Sequence, residues 1–470
     1  MKTKKVALSL VVVLVLGVIA FLLLRVPQKQ YHTAEAVCRV SQQNACGDAM
    51  VLIESRQIPQ SPAVDDIHLG FIELDDQGQL WSPAQAQKVL DTVKELAQQR
   101  PVSVVVFAHG WNHNAEATDA NVLSFRQMLR DLFDAEARFA QSANRQQERA
   151  IVGIYLGWRG KSAKGPAFLP TFWARKAVAH QVGNDGAFEI LQRLSELRAT
   201  GAKSERNRLI MVGHSFGGAL MFAATAHALG ASLEDLSAGS NRRFADLVVI
   251  INAAVEAQRF ESLLRRSREL EAGLRKQMPV FVAITSTNDL ATKVAFPLGR
   301  RFATLFNSYR DGQSESDRIA IGHYKPFLTH VLAPCETPDA FAALTTCPEK
   351  SANAAARDVS NPAYMTAIRA TAAAWKKDRN QPNWRISFPT GVLQHAAGPA
   401  DGPVLNIVTH QSLIADHNDI WQSPLLLFVR DLIAINHFAA RSAEPPVTPA
   451  TDHPSSGPET GSFVAAATHR

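Results

Sequence analysis

Six short apolar runs, each separated from the next by a helical or irregular stretch, constrain this chain most. The first is PVSVVVFAHGW at 101–111, where Val102, Val104, Val105, Val106 and Phe107 form a nearly continuous block that stops at Gly110. A strand that reads as a solid apolar block, without polar alternation, is buried on both faces of a parallel sheet. The pattern recurs in AIVGIYLGW (150–158), RLIMVGHS (208–215), ADLVVIINAA (245–254), PVFVAITS (279–286) and GPVLNIVTH (402–410). HLGFIEL (68–74) reads as a further strand before an Asp75-Asp76-Gln77-Gly78 turn. Residues 83–98 place Ala86, Val89, Leu90, Val93, Leu96 and Ala97 at helical spacing, and 187–197 do the same with Phe188, Leu191, Leu194 and Leu197. Strands alternating with helices predict βαβ units, right-handed crossovers and an α/β fold with a mostly parallel central sheet flanked by helices.

A chain of 470 residues allows several domains or one large domain with insertions. Apolar residues make up 46% and charged residues 20%, which supplies a large core and excludes wholesale disorder. Residues 67–311 read as the first part of the α/β core. The alternation breaks over 312–400, which hold Cys335, Cys347, several prolines and an Ala-rich helical stretch, and this segment reads as an insertion before the last strand. Residues 401–441 complete the core, with Ser423-Pro424 suiting an N-cap followed by proline in the first turn. Residues 26–66 read as a juxtamembrane linker and 442–470, rich in Ala, Pro, Ser and Thr, as a disordered tail.

The formal charge is +6, but Lys2, Lys4, Lys5 and Arg25 fall within the first 25 residues, which contain no acid, leaving +2 for the rest. No basic stripe with interleaved aromatics is present, which argues against a nucleic-acid partner. Residues 6–24 are uncharged and mostly apolar. As a helix they span about 28 Å, close to the hydrocarbon thickness of a bilayer. With the lysines retained in the cytoplasm, the expectation is a single-pass anchor holding everything after Arg25 outside it, periplasmic or extracellular. A cleaved signal peptide and a secreted product form the alternative. Export agrees with four cysteines in two close pairs, Cys38 with Cys46 and Cys335 with Cys347, for which local disulfides are expected.

Gly213-His214-Ser215-Phe216-Gly217 matches G-x-S-x-G, with an apolar strand running into it and a small-residue helix leaving it. Such a turn pushes the serine hydroxyl out at the top of the sheet. A serine needs a base within hydrogen-bond reach, and the base needs an orienting acid. Asp289, just past the strand ending at Ser286, is the expected acid. Glu256, after the preceding strand, is its rival, disfavoured because it opens a charged helix whose acids should face solvent. His417, in the loop before the final helix, is the expected base, preferred over His410 at the strand end; Asp416 and Asp419 flank it. Trp111, after His109-Gly110, and Phe216 are the expected backbone donors of an oxyanion hole. Residues 161–174, with Phe168, Leu169, Phe172 and Trp173, read either as a lid or acyl-binding wall or as a loop packed on the core; Trp158 either lines a pocket or packs.

The ordered segments HGW, GHSFGG, TSTNDLAT and ADHNDIW resemble the serine esterases and lipases of the α/β-hydrolase superfamily over roughly residues 100–440. The resemblance implies the α/β-hydrolase fold and a triad of Ser215, Asp289 and His417. It also implies an oxyanion hole at Trp111 and Phe216, and hydrolysis of a small-molecule or lipid ester through an acyl-enzyme without metal or organic cofactor. An amidase or thioesterase with the same triad, and a non-catalytic membrane-tethered binding module, are the alternatives.

Overall fold

The computed structural model describes residues 12, 15, 17–19, 22–40, 46–57, 64–142, 149–165, 171–201, 206–240, 242–310, 312–334, 361–377, 384–396 and 402–441. Most of the apolar run 6–24, Phe168 and Leu169, the Cys335–Cys347 pairing and the tail 442–470 lie outside the described residues.

Twelve strands form one sheet. They are β1 (Ala34–Arg39), β2 (Ala49–Gln57), β3 (Val64–Glu73), β4 (Val102–Ala108), β5 (Ala150–Gly157), β6 (Arg208–His214), β7 (Leu247–Ile251), β8 (Phe281–Ser286), β9 (His330–Pro334), β10 (Arg385–Phe388), β11 (Gly391–His395) and β12 (Val404–Thr409). Their order is β1-β2-β3-β5-β4-β6-β7-β8-β12-β9-β11-β10. From β3 through β9 every neighbour is parallel, and antiparallel pairs appear only outside that block. The α/β class and the mostly parallel sheet are therefore as the sequence predicts.

The helices that position the site are α1 (Pro83–Gln99), α2 (Ala120–Ser142), α3 (Phe172–Val182), α4 (Phe188–Arg198), α5 (Phe216–Ser237), α6 (Ala257–Glu269), α7 (Phe296–Ala303), α8 (Pro362–Trp375) and α9 (Ser423–Arg441). The strands bury both faces. Val104, Val106 and Ala108 of β4 join one core with side chains of α1, α4, α5 and α6. Val105 and Phe107 join a second core with Phe125, Leu129 and Phe133 of α2, Tyr364 and Trp375 of α8, and Phe428 and Leu432 of α9. That is why β4 reads as an unbroken apolar block: alternate side chains enter different cores. Among the described residues α5 is the one helix long and apolar enough to cross a bilayer, and it is mostly buried. Its small residues Gly217, Gly218 and Ala219 let it lie close beneath the sheet.

Two segments differ from their sequence reading. The described residues of 26–66 are bound to the domain rather than acting as a simple linker. Val26 N–H donates to Ser162 O (2.9 Å), Lys164 N–H to Leu24 O (2.8 Å) and Arg159 Nη1 to Val26 O (3.2 Å). The buried Glu73 carboxylate accepts from the backbone N–H groups of Tyr31 (2.9 Å) and His32 (2.8 Å). Beyond them β1 and β2 extend the sheet, with Met50, Val51 and Leu52 buried. The run MVLIES was the overlooked signal. Residues 312–400, expected as an insertion, also contribute sheet: β9 pairs in parallel with β12, and β11 and β10 follow. α8 is tied to the core by Trp375 Nε1 donating to Gln277 O (3.0 Å) and by Tyr364 OH donating to Asp431 Oδ1 (3.1 Å).

Cys38 and Cys46 are disulfide-bonded, closing the connection between β1 and β2. Replacing both by serine removes a cross-link on a loop of this size and is expected to cost about 2–3 kcal/mol. Urea denaturation of the non-reduced protein and the double variant checks this; coincident curves would contradict it.

Candidate active site

Ser215 stands between β6 and α5 with φ +55° and ψ −116°, a conformation that non-glycine residues adopt only when their surroundings enforce it. The enforcement is steric and hydrogen-bonded. A Cβ on Gly217 would meet Ala108 O at 2.1 Å, and one on Gly213 would meet Gly217 O at 2.4 Å, so both flanking positions admit only glycine. Ser215 N–H donates to Ile251 O (3.0 Å), while Ser215 O accepts from Ala219 N–H (3.1 Å) and Ala254 N–H (3.2 Å). The side chain is thereby turned out of the strand.

His417 Nε2 lies 2.7 Å from Ser215 Oγ, and His417 Nδ1 lies 2.9 Å from Asp289 Oδ1. With Asp289 ionised, Nδ1–H donates to the carboxylate, and Nε2 is left to accept the serine proton. Asp289 is fully buried. Its Oδ1 also accepts from the backbone N–H groups of Ala291 (3.0 Å) and Thr292 (3.2 Å), and its Oδ2 from Thr292 Oγ1. Burial pushes this carboxyl upward, but the His417 hydrogen bond and charge and the Thr292 donors outweigh it and hold the group below its ordinary range. His323 Nε2 lies 2.9 Å from Thr292 Oγ1 and supports that contact from behind. Burial lowers His323 to about 4, keeping it neutral.

The loop carrying His417 is fixed by side chains at the C-terminal ends of three parallel strands. His214 Nε2–H donates to His417 O (2.8 Å), and Asn252 Nδ2 donates to the same oxygen (3.0 Å) and to Asp416 O (3.3 Å). Ser286 Oγ donates to Ile414 O (2.7 Å) and Asn288 Nδ2 to Ala415 O (2.9 Å). Asn252 Oδ1 accepts from Ser286 N–H (3.0 Å), joining β7 to β8 beneath the loop. Burial, followed by the neighbouring His417, lowers His214 to about 3, so its ring stays neutral with the proton on the nitrogen that donates. The sequence reading missed His214, Asn252, Ser286, Asn288, Thr292 and His323. The first four lie at or just past strand ends, where polar residues interrupt apolar runs, and that interruption was the available signal.

Gly110 packs against the same turn: a Cβ there would lie 3.1 Å from Ser215 Cβ and 3.0 Å from His214 Nδ1. Trp111 is the next residue along the chain. Phe216 is the first residue of α5, where a backbone N–H has no acceptor within its own helix. The Trp111 ring meets Phe172 edge-on at 5.1 Å, and Phe172 lies 4.7 Å from the Phe216 ring. These aromatics form one apolar cluster, with Phe216 buried in it. Phe172 and Trp173 are half-buried against the core, and Trp158 is buried, donating from Nε1 to His109 O (2.9 Å).

The competing residues are engaged elsewhere. Glu256, expected to face solvent, is buried: its carboxylate takes Lys176 Nζ (2.6 Å), Arg259 Nε (3.0 Å) and Arg300 Nη1 (3.2 Å). It caps α6, which supplies Arg259, while α3 supplies Lys176 and α7 supplies Arg300. Burial opposes its ionisation, but the charges of Lys176, His180, Arg259 and Arg300 hold it at about 2. His410 Nδ1 pairs with Ser412 Oγ at 2.9 Å. Asp416 and Asp419 accept from the backbone N–H groups of Asn418 (2.8 Å) and Ala415 (2.9 Å). Among the described residues no group of three or more His, Cys, Asp or Glu side chains has the arrangement of a metal site.

Glu256→Gln leaves three cations around a neutral amide, a change expected to cost about 3–5 kcal/mol. The wild-type contribution is present above the unfolded carboxyl value and is lost as pH falls through about 2. Thermal unfolding at neutral pH checks the variant; an unchanged Tm would contradict the account of this cluster. No protein-family model matches the chain, and no curated protein sequence matches it.

Proposed function

We propose that the protein is a serine hydrolase of the α/β-hydrolase type that cleaves carboxylic esters. The observation that carries this reading is the unbroken hydrogen-bonded line Ser215 Oγ–His417 Nε2, His417 Nδ1–Asp289, set at a strained strand-to-helix turn. His417 accepts the Ser215 proton as Oγ attacks the ester carbonyl. The developing oxyanion is met by the backbone N–H groups of Phe216 and Trp111, each worth about 3 kcal/mol to the transition state. Collapse breaks the carbon–oxygen bond to the alcohol, which leaves with the proton returned by His417. Water, deprotonated by His417, then attacks the acyl-Ser215 carbonyl, releasing the acid and restoring the serine hydroxyl. Asp289 keeps the imidazole in the required tautomer and stabilises the imidazolium. The half-buried Trp111 and Phe172 rings favour an apolar acyl or alcohol group in the substrate. The mechanism draws on protein groups only.

The same reading takes residues 6–24 as an anchor, with the catalytic domain outside the cytoplasm. The uncharged run supports it, as does the exposure of Val12, Val15, Val18, Ile19, Leu22 and Leu23 at helical positions.

Ser215→Ala is expected to lower kcat by about 10⁶ with Tm retained. Asp289→Asn is expected to lower it by about 10⁴, because the amide favours the wrong histidine tautomer. Hydrolysis of a series of p-nitrophenyl esters measures both. Wild-type turnover in the Ser215 variant would sink the assignment, and normal turnover in the Asp289 variant would move the acid elsewhere.

A further inference from the structure

Immediately after Asp289 the chain builds an amphipathic helix of the reverse sense to those around it. Phe296 and Thr292 face inward. Leu290, Val294, Leu298, Phe302, Leu305 and Phe306 all project into solvent, with Phe302 68% and Phe306 99% exposed. Leu290, Val294, Leu298 and Phe302 recur every four residues through 291–295 and α7, and Leu305 and Phe306 continue the exposed apolar run in the turn past the helix end. Soluble monomers rarely leave so large a contiguous apolar face uncovered without a partner for it. Residues 290–310 contain Lys293, Arg300, Arg301 and Arg310 and no acidic residue. Arg300 is consumed by Asp317 and Glu256, whereas Lys293 and Arg301 are exposed beside the apolar face. Large apolar side chains on one face with flanking cations and no acids are what a helix lying in an anionic lipid interface presents.

A second exposed apolar surface lies at the N-terminal end of the described residues. The described positions of the N-terminal helical segment expose Val12, Val15, Val18, Ile19, Leu22 and Leu23. Its end is held without slack, because Leu24 and Val26 are hydrogen-bonded to Lys164 and Ser162, and Tyr31 and His32 to Glu73. From there contacts run to α7. Gly160 packs on Gly110 and His113, Trp111 Nε1 donates to Thr171 Oγ1 (3.4 Å), and the Trp173 ring meets Phe296 at 6.1 Å and covers Gly299. A helix end clamped in this way fixes which side of the domain meets whatever the helix enters.

We propose that the 290–306 face lies in the interface of the same phospholipid bilayer that takes the N-terminal helix, and that the site therefore draws its substrate from that bilayer. The substrate class, an ester of a membrane-resident lipid, rests on the esterase reading above and the shared bilayer on the anchor reading; the insertion of the face into lipid rests on neither. Since Leu290 adjoins Asp289 and Thr292 bonds to it, the embedded face adjoins the acid of the triad.

Two measurements on the full chain separate these parts. For docking, Phe306→Cys and, as a solvent control, Lys94→Cys on α1 are spin-labelled in vesicles of phosphatidylethanolamine and phosphatidylglycerol, with the unsubstituted chain labelled in parallel as background. The label at 306 should collide several-fold more with dissolved oxygen than with a water-soluble nickel chelate, and the label at 94 the reverse. Equal accessibility at the two positions would overturn the proposal. So would protection that rises with protein density in the vesicle, which would assign the face to a second copy of the chain. For substrate, Leu298→Ser combined with Phe302→Ser should lower hydrolysis of a diacylglycerol embedded in those vesicles at least tenfold, while a soluble butyrate ester stays within twofold. Equal loss on both substrates would overturn the substrate claim. A wild-type chain that cleaves neither ester would remove the esterase reading, and the label at 306 would still decide the docking.

Discussion

The positive φ of Ser215 is the constraint on which the rest of the site depends. A serine prefers to avoid that conformation, and strain of this kind costs about 1–3 kcal/mol. It persists because the turn is pinned on all sides: Ile251 O and Ala254 N–H from the β7 side, Ala219 N–H from α5, and the backbone of Ala108 against Gly217. Relaxing it would require parting β4, β6 and β7, whose side chains fill two cores at once. The strain is therefore held by the burial of the sheet, and it leaves the hydroxyl above the strand ends, where other chain segments can reach it.

What reaches it is a loop separated from Asp289 by 128 positions and from Ser215 by 202. Sequence distance is irrelevant here because β12 lies directly beside β8 in register, Thr409 opposite Ser286. The chain between them leaves and returns to the neighbouring track. The final approach is set by His214, Asn252, Ser286 and Asn288, all donating to carbonyls of residues 414–417. A neutral, buried His214 suits this work, since a charged ring next to His417 would oppose formation of the imidazolium.

The six apolar blocks were legible as parallel strands because burial on both faces leaves a simple mark in sequence, and G-x-S-x-G was legible because its glycines answer a local steric demand. Asp289 and His417 were legible as candidates from their places after strand ends, and the structure puts both on the line from Ser215. Glu256 was misread because the charges that bury it, Lys176 and Arg300, come from segments distant in sequence. β1 and β2 were read as linker because the consecutive polar residues Glu54, Ser55 and Arg56 of β2 carry no apolar alternation. The 312–400 segment hid β9, β10 and β11 because each has only four or five residues. The donors that hold the His417 loop leave no spacing pattern, since each acts through a contact across the top of the sheet.

The central claim is that Ser215 is a nucleophile activated by His417 and Asp289. Labelling the folded protein with a fluorophosphonate, followed by peptide mass mapping, tests it most directly. The account predicts one adduct, on the Ser215 Oγ, that is lost when His417 is replaced by alanine. An intact protein that takes up no label, or one labelled at another serine with Ser215 unmodified, would contradict it.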